Sequence, residues 1–327
     1  MRTCFCITFL LIAVAFNANS QSISERKDSL KIDSIKKQLP KLKDIERIKS
    51  MIVLCEYYSD KTKAQNINAI DSIRYYGNRI LNESKPISYK KGIAMGILTT
   101  APDSLKEKKA REAIKIGEES GDEEVLGWAY VVLSTTSRDM KQNTAHSLQA
   151  IDHLNKAGKI LRAVFINTWV CQGYFGSGEN EKAFDCARKN LEALKTIQVP
   201  EFSYIYSQSL LWNYWNMCEI FSAAGDYEEA LKYIRKTGEV DKADDPSADD
   251  WTLDISGIYA ALGNYDSAML YWQRFRNVPN WDDPNWSWRP GKKLSYNYLA
   301  GLYKMNKQYD TAIGILKDNI VYFDSLL

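Results

Sequence analysis

Few histidines are available in this sequence for acid–base or metal chemistry. Only two histidines occur among the 327 residues, His146 and His153, and they lie seven positions apart on one predicted helix. A zinc site on a helix prefers histidines four positions apart, with a further ligand from another element. At seven positions the two rings lie about 10 Å from each other along the helix axis. We therefore expect two partly exposed polar side chains rather than a metal centre.

Other common catalytic patterns are missing as well. The sequence contains no GxSxG, HExxH, Walker A, CxxC or dinucleotide-binding glycine motif. An acidic run over residues 241–250 lacks the central glycine and terminal glutamate of a calcium loop. We expect Asp249 or Asp250 to cap the helix that follows, because a carboxylate is favourable at a helix N-terminus. The sequence predicts no enzyme activity, no metal and no cofactor.

The cysteines give little support for redox or disulfide chemistry. Six are present, two of them within the first six residues, and the others are Cys55, Cys171, Cys186 and Cys218. An even number permits disulfides in an oxidising compartment. Each of these four lies among apolar residues in a helical pattern, and cysteine is among the most buried residue types. We expect small buried thiols.

The first twenty residues form a pattern of their own. One positive charge is followed by an apolar run over residues 4–16 and by the small residues Ala18 and Ser20. This order is typical of a secretory signal peptide over residues 1–20, with cleavage after Ser20. The alternative is an uncleaved anchor, although the run is shorter than the about 20 residues that span a bilayer. No later stretch is long and apolar enough to cross a membrane, so we predict an exported mature chain, periplasmic or extracellular, without a membrane span.

Four segments of shared spacing organise the second half of the sequence. Each has a turn residue, an aromatic residue four positions before it and an alanine five positions after it. The turn residues are Gly178, Gly225, Gly263 and Lys307; the aromatic residues are Tyr174, Phe221, Tyr259 and Tyr303; the alanines are Ala183, Ala230, Ala268 and Ala312. The alanines recur at intervals of 47, 38 and 44 residues. Repeats with periods of about 20–50 residues are typical of solenoids.

At these residues the sequence resembles the tetratricopeptide repeat (TPR) family, whose units are pairs of antiparallel helices with small residues where the helices cross. The resemblance covers the chain from about Asp44 to the C-terminus. It implies an all-α fold, a right-handed TPR-like α-solenoid of about seven stacked helical hairpins over residues 43–327. In such a hairpin the glycine ends the first helix in a left-handed turn, and the alanine allows the second helix to approach closely. One hairpin cannot bury both its faces, so hairpins stack.

Weaker repeats precede the four clear ones. Helical periodicity predicts three more pairs of helices, at 44–58 with 69–82, 89–99 with 104–119, and 123–137 with 144–157. In the last pair we place Ala145, Leu148, Ile151 and Leu154 on the apolar face. Residues 21–42 are rich in Lys, Ser and Asp, and we expect a polar lead-in segment that is solvated or a frayed helix.

The resemblance also indicates where a partner would bind. In the TPR family the first helix of each unit lines a concave groove. Carrying that register over places six candidates on the groove: Trp128, Phe165, Phe175, Trp212, Trp215 and Glu219. An aromatic groove suits an amphipathic or extended peptide, because aromatic side chains supply large contact area. The alternative is that these rings are buried against neighbouring helices.

Three further features bear on partners. The 43 basic and 41 acidic residues are nearly balanced, which argues against a nucleic-acid partner. A loop over residues 277–291 contains Trp281, Trp286 and Trp288, which either cover the edge of the solenoid or stack on sugar rings. The C-terminal helix lacks the polar cap that a solenoid needs, and self-association of two chains through that helix is one alternative for a partner.

We arrive at one leading hypothesis and two alternatives. The first is an exported, non-enzymatic scaffold that binds a protein or peptide partner through the concave face. The second is the sensory, extracytoplasmic part of a signal-transduction receptor, since the segment Asp324-Ser325-Leu326 is similar to one at which TPR arrays of bacterial membrane regulators continue into downstream domains. The third is a glycan-binding accessory protein that uses the tryptophan loop.

Overall fold

The computed structural model describes residues 23–62, 67–137, 139–198, 203–244, 251–277 and 292–324. Within these ranges all regular structure is helical, with fifteen α-helices, two 3₁₀ turns and no strand. The chain divides into two compact units, Met1–Asn216 and Met217–Leu327. The predicted signal peptide lies outside the described residues.

One helix precedes seven helical hairpins. Helix α1 covers Ile23–Gln38. The hairpins are α2 (Asp44–Thr62) with α3 (Ile67–Ser84), α4 (Lys90–Thr100) with α5 (Lys106–Ser120), α6 (Glu123–Thr136) with α7 (Met140–Lys156), α8 (Ile160–Gly176) with α9 (Asn180–Thr196), α10 (Ser203–Ala223) with α11 (Tyr227–Asp244), α12 (Thr252–Ala261) with α13 (Tyr265–Arg276), and α14 (Lys292–Met305) with α15 (Tyr309–Asp324). The predicted all-α fold of seven hairpins is confirmed.

The turn inside each of the last four hairpins has the predicted left-handed conformation. The φ angles are 78°, 80°, 74° and 59° at Gly178, Gly225, Gly263 and Lys307. The amide after each of these residues donates a hydrogen bond of 2.9 Å to the carbonyl of the aromatic residue of its repeat, for example from Asp226 to Phe221. This bond satisfies one of the carbonyls left unpaired at a helix C-terminus. The repeat signature therefore encodes a helix stop.

The repeat alanines mark the places where paired helices cross. Ala183, Ala230 and Ala268 are fully buried, and Ala312 is 6% exposed. The small residues of the preceding first helices are equally buried: Cys171, Cys218, Ser256 and Ala300. Neither side of the crossing carries a large side chain, which permits a close approach of the two backbones. This confirms that the four alanines occupy equivalent sites.

A matched pair of glycine substitutions tests the left-handed turn. We expect Gly225→Ala to lower the free energy of unfolding by about 1 kcal/mol, because an L-residue is disfavoured at positive φ. Gly238 lies within α11, and nothing lies within 4 Å of the position that a Cβ would take there. Gly238→Ala should therefore raise the free energy of unfolding by about 0.5–1 kcal/mol. Urea denaturation measures the free energy of unfolding of both variants. Equal changes of the same sign would contradict the assignment of a left-handed turn at Gly225.

A polar lead-in, solvated or as a frayed helix, was predicted for residues 21–42, and within this range residues Ile23–Gln38 form a docked helix. In α1 the residues Ser24, Asp28 and Ile32 are buried on one face, and Leu39 just beyond the helix is 6% exposed. The opposite face is solvated, with Leu30 72% exposed. The buried stripe follows a four-residue spacing, but two of its members are polar, so hydrophobic periodicity does not detect it.

The third hairpin differs from its predicted register. The prediction that Ala145 and Leu148 belong to the apolar face of α7 is wrong, since Ala145 is exposed and Leu148 is 42% exposed. Ser147, Ala150 and Leu154 form the buried face instead. Leu154 packs over Gly127 of α6, where an added Cβ would lie 2.7 Å from Leu154 Cγ. This fit of a large residue onto a glycine sets the rotation of α7.

Candidate functional site

In the first unit, the first helices of successive hairpins form one surface, which we call the first-helix surface. It comprises α2, α4, α6, α8 and the part of α10 up to Asn216. Arg162 of α8 is only 4% exposed, and its Nη1 lies 2.8 Å from Asp60 Oδ1 of α2. Glu56 Oε2, also on α2, lies 3.9 Å from Arg162 Nη2. Because α2 and α8 belong to the first and fourth hairpins, these contacts join two helices of the surface that are distant in the sequence.

Trp128, a predicted groove residue, belongs to this charged cluster. The Arg162 guanidinium lies 5.5 Å from the centre of the Trp128 ring, within the range of a cation–π contact. The indole is half-buried, and its Nε1 has no hydrogen-bond partner among the described residues. Trp128 therefore packs against the buried guanidinium of Arg162 and helps to stabilise its charge.

Two other predicted residues lie along α8. Phe165 is 7% exposed and packs edge-to-face against Trp169, with ring centres 5.5 Å apart. It is part of the apolar core, as the alternative interpretation of the aromatic residues expects. Phe175 is half-buried near the end of the same helix.

Trp212 and Trp215 form an aromatic pair on α10. Their ring centres are 5.7 Å apart with an interplanar angle of 89°, an edge-to-face arrangement. Trp212 Nε1 lies 3.2 Å from Gln208 Oε1, to which it donates a hydrogen bond. Both side chains are half-buried, so each ring packs partly on the protein and leaves part of its area accessible. Of the predicted aromatic residues on this surface, this pair is the most suitable for contact with a partner.

A chain of hydrogen-bonded asparagines, which was not predicted from the sequence, joins three helices of the first unit. Asn167 of α8 donates to Asn190 of α9 at 2.8 Å, and Asn190 donates to Asn213 of α10 at 2.9 Å. Asn190 and Asn213 are almost completely buried. Buried amides that satisfy one another specify a single packing. The signal available in the sequence is the equal spacing of 23 residues between the three asparagines.

Helix α1 lies against the first-helix surface as well. Lys36 Nζ lies 5.4 Å from the centre of the Tyr58 ring on α2. Ile32 and Leu39 belong to the same continuous apolar cluster as Phe165 of α8 and Ile205 of α10. A segment from outside the hairpins therefore covers part of the predicted binding surface.

In the second unit Glu219 lines a cleft of about 290 Å³ together with Cys218, Ser222, Tyr227, Leu253 and Asp254. Burial raises the pKa of the Glu219 carboxyl. Burial, with a smaller contribution from the charges of Asp254 and Glu219, raises the pKa of the Cys218 thiol to about 12. The thiol is therefore protonated at neutral pH and is a poor nucleophile.

The prediction of small buried thiols is confirmed for three of the four cysteines that the structure describes. All four are free thiols. Cys55, Cys171 and Cys218 are buried, and Cys186 is half-buried. The last of these lies near the asparagine chain, with Sγ 3.1 Å from Asn167 Oδ1.

The two histidines contact neighbouring side chains. His153 Nδ1 lies 2.6 Å from Glu123 Oε2, and its ring stacks on Tyr130 with centres 5.5 Å apart. His146 Nδ1 lies 3.1 Å from Ser137 Oγ. Both are half-buried, as predicted. Across the described ranges no group of three or more His, Cys, Asp or Glu side chains is arranged to hold a metal ion.

Several predicted features lie outside the described residues. These are Trp281, Trp286 and Trp288 of the loop, Asp249 and Asp250 before α12, and Ser325 and Leu326 at the end of the chain.

In α15 the side chains of Tyr309, Ile313 and Leu316 are 56%, 49% and 41% exposed. Self-association through this helix stays a prediction. Among the helices that the structure describes, none has the length and apolar character needed to cross a membrane.

Comparison with known proteins gives a likeness in fold only. No protein-family model matches the chain, and no curated protein matches it. The crystal structure of BtubC (BKLC) from P. vanneervenii is similar, with 15% identity and a TM-score of 0.52 over 64% of this chain and 91% of that chain. The crystal structure of a putative kinesin light chain with nearly identical TPR-like repeats, from Podosopora anserina, matches with 15% identity and a TM-score of 0.35 over 68% and 95% of the two chains. The stacked hairpins and the first of these likenesses together identify the fold as a TPR-like α-solenoid.

Proposed function

We propose that this protein is an exported, non-enzymatic scaffold that binds a protein or peptide partner through its first-helix surface. Export rests on the sequence of residues 1–20 alone. The solenoid fold supports the scaffold role, because stacked hairpins present an extended surface built from many helices. The lack of any catalytic motif in the sequence supports the non-enzymatic part.

The observation that carries the proposal is the Trp212–Trp215 pair. Two half-buried indoles in edge-to-face contact form a rigid apolar anchor that loses little conformational freedom on binding. Tryptophan is enriched among the few residues that dominate the binding energy of protein interfaces. The hydrogen bond from Trp212 to Gln208 fixes one ring further. The pair thus has the properties of an interface hot spot.

We expect the double variant Trp212→Ala/Trp215→Ala to lose about tenfold or more of its affinity for the partner, because hot-spot truncations typically cost about 2 kcal/mol or more. The test immobilises the full chain and compares the amount of partner captured from an envelope extract of the source cells. The recovered partner is then purified and titrated against each chain. Far-UV circular dichroism establishes that the variant is folded.

The matched control is Tyr75→Ala. Tyr75 is an aromatic residue on α3, the second helix of its hairpin, and is 57% exposed. We expect this variant to capture the partner as the wild type does. Equal recovery by the wild type and a folded tryptophan double variant would rule out the first-helix surface as the binding site.

A further inference from the structure

We propose that α1 is a displaceable occupant of the first-helix surface. We infer that the partner is an amphipathic helical segment that presents a carboxylate one helical turn before an aliphatic side chain and binds in place of α1. The inference rests on the proposed function, which it deepens by naming the chemistry of the partner and a built-in competitor for it.

Asp28 joins α1 to the N-terminus of α10. One carboxylate oxygen accepts a hydrogen bond from the Ser203 amide at 2.8 Å, and the other accepts one from the Tyr204 amide at 2.9 Å. These are the first two amides of α10, which have no acceptor within their own helix. The preceding residue in the sequence is Phe202, whose side chain has no acceptor. A residue about 175 positions away thus provides a capping carboxylate.

Asp28 is suited to this position for electrostatic reasons. Its side chain is removed from water, with the residue 4% exposed. The positive end of the α10 dipole and two charge-assisted hydrogen bonds compensate the buried charge. An asparagine or serine in its place would offer a single acceptor oxygen and no charge, so it could not pair a separate oxygen with each amide. The contact therefore favours a carboxylate over an amide or a hydroxyl group.

Ile32 gives the second point of recognition. It lies one helical turn after Asp28 and is 2% exposed within the apolar cluster that includes Phe165 and Ile205. Asp28 and Ile32 share one face of α1, because residues four apart lie one above the other on a helix. A partner helix needs the same pair at the same spacing to make both contacts.

The burial of α1 indicates that it can be displaced. In α1 the buried residues among those with described side chains are Ser24, Asp28 and Ile32, whereas α8 buries nine of its seventeen residues. Elements with few buried contacts open at a lower free energy than the rest of a protein. Because α1 is joined to α2 by the short segment 39–43, it can leave the surface without unfolding a hairpin. A partner then competes with an occupant at high local concentration.

The test uses a fluorescein-labelled synthetic peptide of residues 22–41 and the full chain in three forms. These are the wild type, Asp28→Ala, and the matched control Asp33→Ala, which changes an exposed aspartate on the other face of α1. Fluorescence anisotropy should show that the Asp28→Ala chain binds the peptide about tenfold or more tightly than the other two, because its own α1 competes less. Equal binding by Asp28→Ala and Asp33→Ala chains would overturn the proposal.

A second arm changes the peptide instead of the chain. Against the Asp28→Ala chain, a peptide carrying the same Asp28→Ala substitution should bind about tenfold or more weakly than the unmodified peptide. A peptide carrying Asp33→Ala should bind like the unmodified one. Equal affinities of the two aspartate-substituted peptides would show that the carboxylate is not recognised.

Hydrogen exchange of the wild-type chain gives a readout that needs no variant. The amides of α1, with those of Ser203 and Tyr204, should exchange faster than those of α8 under native conditions. If the α1 amides exchange only by global unfolding, α1 is a fixed part of the fold and the proposal fails. The capture experiment with the Trp212→Ala/Trp215→Ala chain does not use this peptide. A negative result there contradicts the scaffold proposal, whereas a negative result with the peptide contradicts only the displacement of α1.

Discussion

Replacing Arg162 with methionine is expected to lower the free energy of unfolding by about 3–5 kcal/mol, the usual effect of removing one partner from a buried ion pair. Arg162 is 4% exposed, and its loss leaves the carboxylates of Asp60 and Glu56 without their shared cation. The cation–π contact with Trp128 is lost as well. Urea denaturation, followed by far-UV circular dichroism, measures the change.

A control variant separates the buried cluster from a general effect of losing an arginine. Arg111 forms an ion pair with Glu107 on the surface of α5, with both side chains more than half exposed. Arg111→Met should change the free energy of unfolding by no more than about 0.5 kcal/mol, because surface ion pairs contribute little. If both arginine variants lower stability to the same extent, the buried cluster is not what holds α2 and α8 together.

The cluster is also expected to tolerate replacement as a whole. The triple variant Arg162→Met/Glu56→Met/Asp60→Leu removes all three charges together and should recover most of the loss, since apolar groups of similar volume often replace buried charges at little cost. A triple variant that is no more stable than Arg162→Met would show that the charges are needed for folding itself. The contrast between single and triple variants is therefore the decisive measurement.

The parts of this fold that could be predicted from the sequence are those encoded locally. Gly225 and Ala230 lie five positions apart, and the interactions that give them their roles, a left-handed turn and a helix crossing, act within a few residues. The signature repeats four times, so each occurrence supports the others. Helical periodicity, which is also local, gave the boundaries of the six helices in the first three hairpins to within about four residues.

The features that could not be predicted depend on contacts between distant positions. Arg162 and Asp60 are 102 residues apart, and Asp28 lies 175 residues from Ser203. A charged residue inside the apolar run 160–166 signals burial with a partner, but nothing in the sequence identifies that partner. The polar composition of α1 conceals its docking for the same reason. The candidate site was therefore only partly predictable, since the repeat register suggested its aromatic residues but gave no indication of its charged residues.

The third hairpin shows a further limit of helical periodicity as a guide to packing. Helical spacing alone allows α7 more than one rotation, and the choice depends on Gly127 of the partner helix, over which Leu154 packs. Leu154 is fully buried, so Leu154→Ala should lower the free energy of unfolding by about 2–5 kcal/mol. Gly127→Ala should lower it by about 1–3 kcal/mol, because the new methyl group overpacks the crossing.

The two changes are expected to compensate each other in part. In the Leu154→Ala background the side-chain atom that lies 2.7 Å from the new Cβ is gone, and the nearest remaining Leu154 contact is the backbone nitrogen at 3.2 Å. The alanine methyl at position 127 then fills part of the cavity. The free energy of unfolding of the double variant should therefore exceed the value expected from adding the two single changes by about 1 kcal/mol or more.

Gly173→Ala with Leu194→Ala serves as the control, since a Cβ at Gly173 meets only Thr144 Oγ1 at 3.4 Å. That control pair should be additive within about 0.5 kcal/mol. Additivity at Gly127 and Leu154 as well would mean that the glycine does not set the rotation of α7.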